Sequence, residues 1–152
     1  MLRNMSELKP VRLVAGTRGW EEGVPDTSFE EYGSVGRQCR RYEQALELCE
    51  GLIDLLSVFY DVSSRQLRSE RRTSEPVCRV RQIGMYVAHV TFGMKMDWVA
   101  DGFRRDRSTV VHACHAIEDL RDDEDFDILV ARTEKLAMIA LPAECGEFSE
   151  DE

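Results

Sequence analysis

The sequence lacks an apolar run of the length that crosses a membrane, since a spanning helix needs about 18 such residues. Residues 1–20 also lack the apolar block of a secretory signal. The five cysteines are scattered, and no two of them form a CxxC pair. This pattern favours reduced thiols over a disulfide framework. We therefore expect a cytoplasmic protein without disulfide bonds.

Groups suited to catalysis or metal binding are also scarce. His112, Cys114 and His115 lie close together in the sequence, but no second cluster supplies the other ligands of a closed tetrahedral metal site. We find no pairing of a nucleophile with a base. A phosphate-binding GxxxxGK[ST] loop is missing from the 152 residues as well. We expect a protein that is not an enzyme and that carries no metal or other cofactor.

The charge is unevenly distributed along the chain. The net charge of −9 by itself argues against a nucleic-acid partner. Residues 122–152 carry 11 acidic and 2 basic groups, whereas residues 65–112 carry 10 basic and 5 acidic groups. Because the local charge matters more than the sum, a basic centre beside an acidic end is compatible with DNA binding.

Three regions differ in composition. Residues 1–36 contain seven glycine or proline residues and no sustained apolar period, which predicts a disordered N-terminal arm. From residue 37 onwards, apolar residues follow the three-and-four spacing of amphipathic helices, and no segment alternates like a strand. We expect an all-α helical bundle over residues 37–141, followed by an acidic tail over residues 142–152.

The periodicity places six helices in this bundle. They cover about residues 37–60, 63–67, 77–92, 96–103, 107–120 and 125–141. Pro76 suits the first turn of the third helix, and Gly93 the position just past its end. Phe59, Val111 and Ile139 are among the residues expected to be buried.

The fourth and fifth helices are joined by the tight turn Arg104-Arg105-Asp106, which predicts a helix-turn-helix. The second helix of such a pair normally lies in the DNA major groove. Residues 105–109 bring arginines, an aspartate and two hydroxyls to its first turn. Such a helix start can bind a phosphate and read base edges. The alternative is an ordinary helix start, with Asp106 or Ser108 serving only as the N-cap.

Residues 52–121 resemble the C-terminal DNA-binding domain of the bacterial chromosomal replication initiator protein DnaA, known as domain IV. The block Arg105-Asp106-Arg107-Ser108-Thr109-Val110-Val111-His112-Ala113 is similar to the family signature, an Arg-Asp-His-Thr-Thr-Val motif followed by His-Ala. Further similarity runs through residues 59–62, 67–72, 79–83 and 101–103. The resemblance implies the all-α helix-turn-helix fold and double-stranded DNA as the partner.

The resemblance also implies roles for groups outside the recognition helix. Arg72, with Arg71 beside it, would enter the minor groove next to the site, where the potential is strongly negative. Arg81 and Gln82 match phosphate-binding positions, and Thr109 matches a threonine that contacts a phosphate.

At the start of the recognition helix, Asp106 matches an aspartate that accepts a hydrogen bond from a cytosine amino group. Ser108 stands where the family has a threonine whose methyl group packs against thymine. Arg107 replaces a base-contacting histidine, and an arginine there suits a guanine or a phosphate. Arg105 matches the arginine of the motif, and His112 is expected to pack against the fold rather than to read bases.

We therefore expect a small sequence-specific DNA-binding regulator of chromosomal replication initiation, or of transcription, which lacks ATPase activity and associates with the nucleoid. Its sites would resemble an origin or a promoter. The alternative hypothesis is a protein-interaction module that retains the fold without reading DNA. In that case, the acidic residues 122–152 and the apolar residues of the arm would dock on the replication initiator or its regulators.

Overall fold

The computed structural model describes the backbone of residues 28–141 and the side chains of residues 35–141. This part of the chain is helical and contains no strand. None of its helices is long and apolar enough to cross a bilayer. The six α-helices are α1 (Ser28–Phe59), α2 (Ser64–Arg68), α3 (Glu75–Tyr86), α4 (Met96–Phe103), α5 (Arg107–Leu120) and α6 (Glu124–Ala140). The predicted all-α fold with a helix-turn-helix is confirmed.

The first helix starts earlier than the sequence pattern predicts. It begins at Ser28, inside the segment 1–36 that was expected to be a disordered arm. Each glycine in this stretch costs a helix only about 1 kcal/mol. Residues 1–27 of the predicted arm and the predicted tail at 142–152 lie outside the described residues.

The third predicted helix ends in a π-helical turn that periodicity does not reveal. The turn spans Val87–Thr91 and continues directly from α3. Gly93 follows with a φ of 65°, as a residue just past a helix end commonly does. The amide of Met94 donates to the carbonyl of Ala88 (3.2 Å). This tightened exit buries both Phe92 and Met94 in the core.

One hydrophobic core unites the helices, with α5 packed mainly on α3 and α4 mainly on α1. Its largest fully buried side chains include Phe103, Leu52, Leu56, Ile83 and Ile117. The expectation of burial is wrong for Phe59 and Ile139, which are 42% and 70% exposed. Both lie near the last residue of a helix, where few neighbours remain to cover a side chain. Val111 is half-buried.

A polar cluster joins the C-terminal end of α5 to α3 and α6. The Arg121 guanidinium donates to Asp127 (2.6 Å), to the Tyr86 hydroxyl (3.0 Å) and to Glu134 (3.2 Å). The Tyr60 hydroxyl and the buried Thr133 hydroxyl form a second link, between the end of α1 and α6 (2.8 Å). These contacts hold α6 against the helix-turn-helix on the side away from the first turn of α5.

Helices α1, α3 and α4 approach one another closely at Gly84, which gives the first testable prediction. A Cβ atom there would lie 2.6 Å from Leu56 Cδ1 and 3.0 Å from Phe103 Cε1. Leu56 and Phe103 are fully buried and have little room to move away. We expect Gly84→Ala to lower the free energy of unfolding by about 1–3 kcal/mol, measured by urea denaturation.

Gly36→Ala is the matched control, since nothing lies within 4 Å of a Cβ at this exposed position of α1. It should leave stability unchanged or raise it by up to about 1 kcal/mol, as Ala favours helix over Gly. Equal effects of the two substitutions would contradict the close packing at Gly84.

Candidate nucleic-acid interface

The first turn of α5 is exposed. Asp106 occupies the N-cap position with extended backbone angles, and its carbonyl oxygen accepts from the amides of Thr109 (2.9 Å) and Val110 (3.3 Å). Its carboxylate, however, makes no capping hydrogen bond. The N-cap of α6 behaves differently, because Asp123 accepts from the amide of Phe126 (2.9 Å). Asp106 therefore occupies the N-cap position without a side-chain capping bond.

Arg107, Ser108 and Thr109 are also exposed at this helix start. The guanidinium of Arg107 lies 3.3 Å from the carboxylate of Asp97 in the first turn of α4, and both side chains are largely exposed. Exposed pairs of this kind contribute only about 0–1 kcal/mol. A phosphate or a guanine edge can therefore replace Asp97 as the partner of Arg107.

His112 is exposed, so the expectation that it packs against the fold is wrong. It lies one helical turn after Ser108, on the same side of α5. His115 is exposed as well, while Val110, Ala113 and Cys114 are buried. The outward side of α5 therefore runs from Ser108 through His112. Across the described residues, no group of His, Cys, Asp and Glu side chains is arranged to hold a metal ion.

The loop between α2 and α3 carries Arg71 and Arg72, both exposed. A cleft of about 340 Å³ separates this loop from the helix-turn-helix. Residues from three segments line it, including Arg72 from the loop, Gln82 from α3 and Thr109 from α5. The fold thus brings together the predicted minor-groove and phosphate-binding groups, although they are far apart in the sequence.

Arg81 does not lie with the exposed groups. It is only 5% exposed, and its guanidinium donates to the backbone carbonyls of Leu67 (2.9 Å) and Gln66 (2.6 Å). Burial, and secondly the nearby charge of Arg105, lower the pKa of Arg81. The expectation of direct phosphate binding at Arg81 needs correction, since its donors already serve the backbone. The neighbouring Gln82 is half-buried and accepts from Arg79 (2.9 Å).

Arg105 is also turned towards the protein. Its guanidinium donates to the carbonyls of Glu70 (2.9 Å) and Ser69, and its buried Nε has no hydrogen-bond partner. Arg105 therefore connects the turn of the helix-turn-helix to the loop that carries Arg71 and Arg72. The sequence pattern alone places Arg105 beside Asp106, but gives no sign of this contact across 35 residues.

The two ends of α5 differ in charge. Its first turn lies near Arg72, Arg105 and Arg107, whereas its last turn carries exposed Glu118 and Asp119. The turn into α6 adds four further exposed acidic residues at 122–125. A polyanion is thus attracted to the N-terminal half of α5 and repelled from its C-terminal end.

Cys78 lies in the same cleft, within the first turns of α3. Its pKa is lowered, mainly because the Thr73 hydroxyl lies within hydrogen-bonding distance of the thiol (3.4 Å), with smaller effects from Arg81 and Arg105. Burial opposes this shift. In contrast, burial raises the pKa of Cys49 to about 12 and that of Cys114 to about 11.

Comparison with known proteins identifies this arrangement. Residues 49–117 match the family described as bacterial dnaA protein helix-turn-helix. A curated relative, the chromosomal replication initiator protein DnaA of Pseudothermotoga lettingae, is 33% identical over 88 residues, which are 58% of this chain and 19% of the relative. The chain therefore spans about a fifth of the length of that relative.

The fold is similar to the crystal structure of a DNA replication initiation factor, with a TM-score of 0.63 and 22% identity. That match covers 72% of this chain and 36% of the other. The resemblance to the DnaA C-terminal domain identified from the motif is confirmed by the match of residues 49–117 to this family, and the helix-turn-helix fold by the solved structure.

The different surroundings of the thiols give a second prediction. At pH 8 we expect iodoacetamide to modify Cys78 and the exposed Cys39 at least tenfold faster than Cys49 and Cys114, because only the thiolate reacts and burial keeps the latter two protonated. Peptide mass spectrometry over time measures each rate. As the pH falls, Cys78 should retain its reactivity to a lower pH than a free cysteine does, because its pKa is lowered. Rapid modification of Cys49 in the folded protein would contradict the structure.

Proposed function

We propose that this helix-turn-helix domain binds double-stranded DNA sequence-specifically, with the N-terminal half of α5 in the major groove and the loop at residues 69–74 over the adjacent minor groove. The observation that carries the proposal is the exposed first turn of α5, where the Asp106 carboxylate makes no capping bond and Arg107 is held only by an exposed ion pair. The cleft joins this turn to Arg72.

Side-chain chemistry divides the interface into reading and anchoring groups. Asp106 is an acceptor suited to a cytosine amino group, and Arg107 is a donor suited to the edge of a guanine. Ser108 adds a small hydroxyl at the same level, and His112 extends this surface by one turn. Base contacts of this kind determine the preferred sequence, while contacts to phosphates position the protein on the duplex.

The anchoring groups surround the reading groups. Thr109 and Gln82 line the cleft. In this proposal they bind phosphates, together with the backbone amides at the start of α5. Arg71 and Arg72 are exposed on the loop and suit the negative potential of a narrow minor groove. The acidic end of α5 restricts the duplex to the other half of this helix.

We further propose that the chain acts in the cytoplasm, at the nucleoid, as a regulator of chromosomal replication initiation or of transcription, at origin-like or promoter-like sites. The family match to an initiator domain supports a role in replication. The 152 residues contain no GxxxxGK[ST] loop, so DNA binding by them would not depend on ATP hydrolysis. The alternative function, docking on the initiator or its regulators without DNA readout, would be supported if no duplex were bound.

The third prediction concerns Arg72. We expect Arg72→Ala to weaken binding to a duplex about tenfold and to reduce the slope of log K against log salt concentration by about 1. The variant brings one positive charge fewer to the DNA, so binding releases fewer counterions. Fluorescence anisotropy over a series of salt concentrations measures both quantities. A duplex recovered by selection from a randomised library serves as the ligand.

Arg132→Ala is the matched control, as it removes an equally exposed arginine from α6. It should leave the affinity and the salt slope close to those of the wild type. If Arg72→Ala bound as well as the wild type at moderate salt, the placement of the loop over DNA would be wrong.

The fourth prediction separates base reading from anchoring at Asp106. We expect Asp106→Ala to relax the preference at one base pair by about tenfold, with no loss of salt dependence, since an acceptor rather than a cation is removed. Sequencing of the duplexes selected by each variant gives the preference at every position. Asp125→Ala, at an exposed position of α6, is the control. An unchanged base preference for Asp106→Ala would refute its reading role.

A further inference from the structure

Two arginines from different elements converge on α2 and on the two residues that follow it. Arg81, on α3, donates to the carbonyls of Gln66 and Leu67. Arg105, in the turn before α5, donates to the carbonyls of Ser69 and Glu70. Four backbone acceptors within residues 66–70 are therefore held by two guanidinium groups.

This part of the backbone needs partners from outside. Helix α2 has only five residues, so most of its carbonyl groups accept no hydrogen bond from an amide of the same helix. The planar fork of a guanidinium can reach two neighbouring carbonyls at once, whereas an ammonium acts as a point charge without a fixed geometry. The two arginines satisfy the carbonyls and fix the path of the chain up to Glu70.

The fixed segment ends immediately before Arg71 and Arg72. At the other side, Arg105 immediately precedes Asp106, the first of the reading groups. The side chain of Arg105 therefore joins the segment that carries the minor-groove arginines to the start of the recognition helix. The side chain of Arg105 thus links the two parts of the proposed interface, the loop at residues 69–74 and the first turn of α5.

We propose that Arg81 and Arg105 are positioning residues, which hold the loop at residues 69–74 in register with α5 so that both DNA grooves are engaged together. This inference rests on the proposed DNA-binding function and adds the means by which its two parts are coupled. Neither guanidinium needs to touch DNA for this role.

The electrostatics of the pair agree with a role beside a polyanion. Arg81 and Arg105 are close enough for the charge of Arg105 to lower the pKa of Arg81, although burial has the larger effect. Their partners are mainly neutral carbonyls, and among the described residues neither forms an ion pair with a carboxylate. Both positive charges lie at the wall of the cleft without a direct ion pair, although Glu70 lines the same cleft. A phosphate near the cleft would reduce their mutual repulsion.

The fifth prediction tests positioning with Arg105→Lys, which keeps the charge and loses the fork. We expect this variant to bind the selected duplex about tenfold more weakly, as does Arg72→Ala, and the double variant to be no weaker than either single one. If loss of the Arg105 guanidinium already misplaces Arg72, the additional substitution of Arg72 in the double variant should not weaken binding further. Anisotropy at one salt concentration gives the four affinities.

Arg104→Lys is the matched control, since Arg104 is the exposed neighbour of Arg105 in the same turn. It should bind DNA like the wild type. Wild-type affinity of Arg105→Lys would overturn the proposal, because charge alone would then suffice. Additive losses, about a hundredfold in the double variant, would also overturn it, because Arg105 would then act independently of Arg72.

Limited trypsin digestion supplies a readout that does not depend on DNA. Cleavage after Arg71 and Arg72 should be faster in Arg105→Lys than in the wild type, while cleavage after the distant Arg132 should stay the same. Unchanged cleavage at the loop would overturn the positioning role. If the wild type bound no duplex, the proposed function would fail together with this inference. Faster loop cleavage would then still show that Arg105 fixes the loop.

Discussion

Two guanidinium groups hold the backbone carbonyls of residues 66–70 beside the proposed DNA-binding surface. Helix α2 is too short to pair most of its own carbonyl groups, and Ser69 and Glu70 follow it outside any helix. Arg81 and Arg105 provide the missing donors. Through them, α3, the loop and the turn before α5 become a single surface, and the placement of Arg72, Gln82 and Thr109 around one cleft follows from it.

The distribution of charge also makes the two ends of α5 differ. The first turn of α5 lies beside Arg72, Arg105 and Arg107, while Glu118 and Asp119 end the same helix. Since salt screens exposed charges beyond about 8 Å, the acidic groups at the far end act locally and do not abolish the attraction at the first turn. A net charge of −9 is thus compatible with a polyanionic partner, as long as the duplex approaches the N-terminal half of α5.

Periodicity and turn chemistry were sufficient to predict most of the fold. The bounds of α4 and α5 follow from short apolar stripes and a polar turn, and both helices lie where expected. The early start of α1 was missed because Gly33 and Gly36 resemble linker residues, although an exposed helix tolerates them. The π-helical turn at 87–91 leaves no periodic signal over five residues. The site residues stay predictions, and the directions of their side chains could not be read from residue type: whether an arginine faces solvent or the backbone depends on tertiary neighbours, as Arg81 and Arg105 demonstrate.

The two N-cap aspartates of the structure differ in a way that agrees with the proposed DNA binding at the first turn of α5. Asp106 and Asp123 both have extended backbone angles, yet only Asp123 accepts an amide hydrogen bond from its helix. A capping bond typically stabilises a protein by about 1 kcal/mol, so its absence at Asp106 leaves stability unused. It also leaves two kinds of group available at one place. Backbone amides without intrahelical partners suit a phosphate, and the Asp106 carboxylate, which makes no capping bond, suits a base amino group. A capping bond from the Asp106 side chain would engage its carboxylate and one of these amides. Ser63 and Ser74 also stand at N-caps without a side-chain bond, so the argument for binding depends on the acceptor and the amides that lie together at this turn.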